Sequence, residues 1–316
     1  MSDKTGITWT DATWNPITGC SKVSQGCKHC YALRDWPRLA ANPKTVYYGR
    51  AFTDVAVHAE RLDQPLRWNR PRMIFVNSMS DLFHEAVPTE FIDRVFAVMG
   101  NAYCMDKGHV FQVLTKRADR MREYLCDTET IYRVTRAMKA MGLDLPGENS
   151  PPTWPLPNVW LGVSVENQEA ADSRITAVLE APAAVRWASC EPLLGPVDLS
   201  FALGMHHAGG QWREGGGLDW VVVGGESGPK ARPMKEAWAR SLRDQCAAAG
   251  VPYFFKQWGD IEDPANNMVR AGSSAVGWNL LAGAMHEGYP IAVGVRARGA
   301  LVDGLPKVPV NERSSA

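Results

Sequence analysis

Seven short apolar runs recur along the chain, and polar or amphipathic segments separate them. Most of these runs are apolar nearly throughout, which is typical of strands that are covered on both faces of a sheet. Because parallel neighbours need a crossover segment between them, the alternation predicts a parallel sheet with crossover helices. The predicted strands are 7–14, 73–77, 110–115, 159–165, 185–190, 220–224 and 253–256.

Helical stripes of apolar residues lie between the predicted strands. Thr89 is expected to cap a helix that runs to Asn101, and Asn167 is expected to cap a second helix. A third helix is expected after Pro233, with Gly250 at its end. The apolar residues of these helices are interpreted as core.

The length of 316 residues exceeds that of most single domains but is common among β/α barrels. We therefore predict a partial or complete TIM-like β/α barrel over residues 1–260, with surface insertions at about 126–157 and 201–218. Residues 261–316 are predicted to form a partly irregular C-terminal extension. No apolar run reaches membrane-spanning length and no signal region opens the chain, so a cytoplasmic protein without membrane contact is expected.

Three of the seven cysteines, Cys20, Cys27 and Cys30, stand within eleven residues after the first predicted strand. Their spacing, C-x6-C-x2-C, describes a loop that can turn its thiols toward one point. The remaining cysteines are widely scattered, unlike a secreted disulfide framework. The loop thus predicts a metal site: either zinc, with His29 or a distant residue as fourth ligand, or an iron–sulfur cluster with one open iron.

Hydrophilic residues follow each predicted strand. In β/α barrels the carboxyl ends of the strands form the active-site face, so these residues are expected to meet the cysteine loop in one bowl. Carboxylates in such a bowl can supply acid and base. The four candidate catalytic carboxylates are Asp81, Glu166, Glu191 and Glu226.

Specific motifs accompany these strand ends. They are Trp14-Asn15-Pro16 before the cysteines, FVNSMSDLF at 75–83, LTKR at 114–117, WLGVSVEN at 160–167, SCEPL at 189–193, GGESG at 224–228 and FFKQWG at 254–259. Together they resemble the phage Gp37/Gp68 family, a domain of unknown function found in phages, prophages and bacteria. The resemblance covers roughly residues 7–260 and implies no established activity.

The cysteine loop also shows a more distant resemblance. A loop that follows the first strand of a β/α barrel and ends in Cys-x-His-Cys-Tyr is similar to that of the radical S-adenosylmethionine enzymes, including the spore photoproduct lyase branch. This implies that Cys20, Cys27 and Cys30 hold a [4Fe–4S] cluster, which with S-adenosylmethionine yields a 5′-deoxyadenosyl radical for modification or repair of a substrate. Phage occurrence and the lyase branch suggest a nucleic acid or nucleotide as that substrate, and its identity and the oligomeric state stay open.

The same resemblance suggests where S-adenosylmethionine would bind. The superfamily has a Gly-Gly-Glu element after its second strand, whereas this chain has residues 77–81 there and Gly-Gly-Glu only after its sixth. Amides, hydroxyls and carboxylates accept hydrogen bonds from an ammonium group, and cations pair with a carboxylate or a substrate phosphate. The predicted cofactor-binding residues are Asn77, Ser78, Ser80, Asp81, Lys116 and Arg117.

Two functions of other classes remain open. The first is a β/α-barrel hydrolase or lyase in which the four carboxylates act as catalytic acid and base and the cysteines hold a structural zinc ion. The second is a phage nucleic-acid-binding protein that grips a backbone with Arg67, Arg70 and Arg72 and stacks bases on Trp68. The chain carries 34 Lys plus Arg and 34 Asp plus Glu, so its net charge favours no partner.

Overall fold

The computed structural model describes residues 5–147, 150–204 and 216–259. Part of the predicted second insertion and the whole predicted C-terminal extension lie outside these residues. Within them, no helix is both long enough and apolar enough to cross a membrane.

Nine strands are present in the described residues: β1 Ala12–Trp14, β2 Ile17–Thr18, β3 Ala56–Val57, β4 Met73–Val76, β5 Val110–Thr115, β6 Val159–Ser164, β7 Val185–Cys190, β8 Trp220–Gly224 and β9 Tyr253–Gln257. Seven of them form one parallel sheet in the order β1-β4-β5-β6-β7-β8-β9, and β2 pairs with β3 in a small antiparallel ribbon. Every crossover in the large sheet steps to the next neighbour in the same direction, as in a barrel. The sheet curls into a half-barrel with helices around it, which confirms the predicted TIM-like fold in its partial form.

The α-helices of the described residues are α1 Tyr31–Ala40, α2 Thr89–Cys104, α3 Ala118–Cys126, α4 Thr130–Ala140, α5 Gln168–Glu180 and α6 Glu236–Ala249. The predicted cap of α5 is confirmed, since the Asn167 side chain accepts a hydrogen bond from the Ala170 N–H at 3.0 Å. Gly250, with φ 68°, ends α6 as expected. The prediction for α2 was wrong at both ends: Thr89 is its first helical residue, because the Pro88 carbonyl accepts the first helical hydrogen bonds, and the helix continues past Asn101.

Four predicted strand bounds also differ from the structure: the fourth predicted strand ends at Ser164 and not at 165, and the seventh continues to Gln257. The first strand begins at Ala12 because the chain before it turns, with the Thr10 N–H bonded to the Ile7 carbonyl at 3.5 Å. The Asp11 N–H then donates to the Met73 carbonyl at 2.9 Å, where the pairing with β4 starts. The second strand ends at Val76, because Asn77 has φ 60° and leaves the extended conformation.

The two faces of the half-barrel differ in composition. Alternate residues such as Leu161 and Val163 point outward and pack in the aliphatic core beneath the helices. The inner face is aromatic and holds the indoles of Trp9, Trp160, Trp187 and Trp220 in mutual contact. A Cβ on Gly162 would lie 2.4 Å from the Trp187 ring, so only glycine lets that ring lie against β6. The interior is thereby filled below its carboxyl end.

Candidate functional site

A cavity of about 230 Å³ opens at the carboxyl end of the half-barrel, above the tryptophans. Its floor is apolar and includes Trp9, Phe75 and Leu114, and the hydroxyl residues Ser164 and Ser189 also line it. The cysteine loop forms a wall. The predicted site residues that line the cavity are Cys20, Cys27, Cys30, Asn77, Ser78, Ser80, Asp81, Lys116, Arg117, Glu191 and Glu226.

The three thiols of the loop are free and half-buried. Burial, together with the nearby Asp81 charge, raises the pKa of Cys20 to about 11, although the Arg117 guanidinium opposes the shift. Three thiols on one cavity are a donor set that suits a soft metal ion or an iron–sulfur cluster. In the described part of the chain, however, no group of three or more His, Cys, Asp or Glu side chains is already arranged around a common metal position.

Asp81 is engaged within the protein. One carboxylate oxygen accepts hydrogen bonds from the Thr115 hydroxyl at 2.7 Å and the Phe83 N–H at 3.0 Å. The other accepts from the Lys116 N–H at 3.0 Å and from Arg117 at 3.2 Å. Asp81 therefore joins the ends of β4 and β5.

Arg117 connects that junction to the start of the cysteine loop. It is 7% exposed and donates to the Ser21 hydroxyl at 2.9 Å, to the Ser21 carbonyl at 3.3 Å and to Cys20 Sγ at 3.7 Å. It also donates to the Glu85 carboxylate at 2.9 Å. The loop is thus held to the end of β5 by a buried cation.

Glu166 holds the middle of the loop at the end of β6. It is 1% exposed, pairs with Arg174 of α5 at 2.7 Å, and accepts hydrogen bonds from the Ser24 hydroxyl and, at 3.3 Å, from the Gly26 N–H. Burial alone would raise its pKa, yet Lys116, Arg174 and Ser24 together hold the pKa below its ordinary value. A Cβ on Gly26 would lie 2.7 Å from the carboxylate, so glycine permits this approach.

Glu226 holds the last part of the loop at the end of β8. Its carboxylate accepts from the Arg232 backbone N–H at 2.8 Å and side chain at 3.0 Å, and lies 2.9 Å from His29 Nδ1. Arg232 also donates to the Gln25 carbonyl at 3.0 Å. Burial would raise the pKa of Glu226, but the bonds from Arg232 and His29 lower it to about 2. We call the pairs Asp81–Arg117, Glu166–Arg174 and Glu226–Arg232 the strand-end anchors.

Other polar groups of the cavity are less engaged. In the described ranges, Lys116 Nζ has neither a hydrogen bond nor an ion pair within 4 Å, and the Asn77 amide nitrogen and oxygen are buried without a partner. Glu191 is paired with Lys256 at 2.7 Å. The Ser80 hydroxyl donates to the Ile17 carbonyl, and Ser78 bonds Asn15.

Sequence reasoning missed three residues that complete these contacts, namely Ser24, Arg174 and Arg232. Ser24 lies 142 residues before the carboxylate that it bonds, so no local pattern marks the pair. Lys256 was the exception, because it begins the polar run after the seventh strand and that position marks it as a cavity residue.

The arginine-rich segment at 67–72 precedes β4 and therefore lies at the amino ends of the strands, away from the cavity. Arg67 pairs with Asp63, and Arg72 lies over the Trp68 ring at 4.8 Å. Trp68 is only 9% exposed and packs against His109, so its ring is not presented for base stacking.

Searches of curated proteins and of solved structures found no match to this chain. A family model described as a protein of unknown function, DUF5131, matches residues 4–290. That description names neither an activity nor the Gp37/Gp68 family, so both resemblances noted in the sequence stay predictions. Because the match covers nearly the whole chain, the protein belongs to the DUF5131 family.

Proposed function

We propose that this protein is a radical S-adenosylmethionine enzyme in which Cys20, Cys27 and Cys30 hold a [4Fe–4S] cluster. The observation that carries the proposal is the position of three free thiols, on the loop after the first strand, around a cavity at the carboxyl end of a parallel half-barrel. That end is the active-site face of β/α barrels. When bound, the cluster and S-adenosylmethionine supply a 5′-deoxyadenosyl radical that abstracts hydrogen from a substrate.

The strand-end anchors position the loop for this role. Each anchor fixes a different part of the loop, at Cys20–Ser21, at Ser24–Gly26 and at Gln25–His29. Since burial favours the neutral thiol of Cys20, its deprotonation is coupled to metal binding. The Arg117 N–H that points at Cys20 Sγ stabilises the thiolate once it forms.

Among the predicted S-adenosylmethionine contacts, Lys116 and Asn77 have groups without partners among the described residues. We assign Lys116 to the carboxylate of S-adenosylmethionine or to a substrate phosphate. We assign the Asn77 amide oxygen to the ammonium group of S-adenosylmethionine. Ser78, Ser80, Asp81 and Arg117 shape the pocket, because their polar atoms are bonded within the protein. The apolar floor excludes water from the reacting atoms.

The hydrolase or lyase alternative finds less support. A catalytic acid or base must gain and lose a proton near the working pH. Arg232 and His29 keep the pKa of Glu226 at about 2, and Lys116, Arg174 and Ser24 keep the pKa of Glu166 below its ordinary value. Asp81 is likewise paired with Arg117, which leaves Glu191 as the remaining candidate.

The proposal also places the protein in the cytoplasm. All seven cysteines are free thiols, including the exposed Cys126. Free thiols persist where the compartment is reducing. A reducing compartment also keeps the three loop thiols ready to bind iron.

The test is anaerobic iron–sulfide reconstitution followed by metal analysis and electron paramagnetic resonance of the reduced protein, with and without S-adenosylmethionine. Wild type is compared with the C20A/C27A/C30A variant and with a matched C104A/C126A variant, whose thiols lie on α2 and α3. We expect a cluster signal that S-adenosylmethionine perturbs in wild type and in C104A/C126A, and its loss in the triple variant. Stoichiometric zinc, or no bound metal in wild type, would overturn the proposal.

A further inference from the structure

One segment that contributes to the cavity wall carries an excess of positive charge. Residues 20–50 hold six Lys or Arg residues and one Asp, while the rest of the chain holds 28 Lys or Arg and 33 Asp or Glu. This segment contains the cysteine loop and α1, and the loop forms a cavity wall. The balanced total charge therefore conceals one segment with an excess of five positive charges, part of which forms the cavity wall.

The exposed face of α1 carries this charge toward the cavity. Tyr31 lines the cavity and is 41% exposed, and Arg34 and Arg38 follow it at helical spacing on the same face. Arg34 donates to the Ser227 carbonyl at 3.2 Å, in the loop after β8, so this face meets the cavity rim. On the cysteine loop, Lys22 and Lys28 are both exposed and lie together, with Lys22 Nζ 3.5 Å from the Lys28 carbonyl.

Exposed aromatic rings are interleaved with these cations. Tyr31 and Tyr48 are 41% and 57% exposed, on either side of the arginines in the sequence. A single-strand nucleic-acid site has two parts: a row of cations that follows the phosphates, and aromatic rings that stack on the bases. A cavity of about 230 Å³ admits a base but not a duplex, and Lys116, whose Nζ has no ion pair within 4 Å among the described residues, lies at its wall.

We infer that the face formed by Lys22, Lys28, Tyr31, Arg34, Arg38 and Tyr48 binds single-stranded nucleic acid and presents one nucleotide to the cavity. The inference rests on the proposed function for the chemistry that follows, but the binding itself needs no cluster. It is distinct from the segment at 67–72, which lies at the opposite end of the strands.

Fluorescence anisotropy of labelled 12-nucleotide single strands of DNA and RNA, and of the matched duplex, tests the inference with the full chain free of metal. We expect single strands to bind more tightly than the duplex. The K28A/R34A/R38A variant should lose about tenfold or more in affinity and reduce the salt slope by about 2, since each phosphate contact on a single strand contributes about 0.7. A variant that removes equal charge from the outer helices, R122A/R136A/K139A, should bind as wild type does.

The tyrosines supply the second comparison. Y31A/Y48A should weaken binding by about fivefold or more with an unchanged salt slope, whereas Y31F/Y48F, which keeps both rings, should bind as wild type does. Equal loss in the two charge variants, a preference for duplex, or no binding would overturn the inference. Because C20A/C27A/C30A should still bind the strand, binding without a cluster signal would count against the proposed function alone.

Discussion

Ion pairs at the carboxyl ends of the strands differ from those on the outer helices in burial, not in length. Glu166 and Arg174 lie 2.7 Å apart with side chains 1% and 9% exposed, whereas Glu180 and Arg122 lie 3.0 Å apart with side chains 49% and 36% exposed. Water screens the second pair and leaves it about 0–1 kcal/mol of stabilisation. Removing one partner of the first pair leaves the other charge buried without a partner, which is strongly destabilising. The same two residue types therefore anchor a loop in one region and only cover the surface in the other.

The largest expected effect follows from breaking the buried pair. Glu166→Ala leaves Arg174 without its carboxylate and frees Ser24 and Gly26 of the loop. We expect a loss of about 3–5 kcal/mol in the free energy of unfolding, measured by urea denaturation. The matched Glu180→Ala should lose at most about 1 kcal/mol. Equal losses in the two variants would abolish the distinction between the regions.

A pH-dependent effect of roughly 3 kcal/mol is expected from Glu226. Its pKa falls from the ordinary 4.5 to about 2 on folding, so its contribution is present above pH 4.5 and disappears as the pH falls toward 2. The measurement is the free energy of unfolding of wild type and Glu226→Gln between pH 7 and 3. The difference between the two proteins should shrink as the pH falls, and parallel curves would contradict the anchoring role of Glu226.

A smaller effect, of about 1–3 kcal/mol, is expected from crowding the loop against its anchor. Gly26→Ala places a methyl group 2.7 Å from the Glu166 carboxylate, so the loop or the carboxylate must shift. Gly6→Ala is the control, because nothing lies within 4 Å of the added atom there. The measurement is the thermal unfolding midpoint of each of the two variants. A Gly26→Ala protein as stable as the Gly6→Ala protein would show that the loop is not held closely.

Local patterns predicted the sheet well. Each of the seven predicted strands overlaps an observed one, because an apolar run flanked by polar residues is a property of neighbouring residues alone. The larger error falls at a turn, residues 7–10, and a smaller one at an unusual backbone angle, that of Asn77. The ribbon of β2 and β3 was missed, because its strands have two residues each and carry no periodicity.

The candidate site was predictable in place but not in role. Parallel strands bring their carboxyl ends together, so the sequence located the cavity and most of its lining. The partners of each carboxylate were not readable: Arg174 sits on α5, and His29 bonds Glu226 across 197 residues. Two of the residues taken as acids and bases, Glu166 and Glu226, thus face cations and hydrogen-bond donors that hold their pKa values below the ordinary value.

The sequence by itself determined the strand alternation, the cysteine spacing and the local charge of residues 20–50, since these depend on residues that are close in the chain. Only the tertiary structure decided which charges are neutralised and which face the cavity. The physical reason is that burial and pairing depend on contacts between distant segments. Lys116 and Arg117 are neighbours in sequence, yet Arg117 is buried in an anchor while Lys116, within the described residues, has an unpaired ammonium group at the cavity wall.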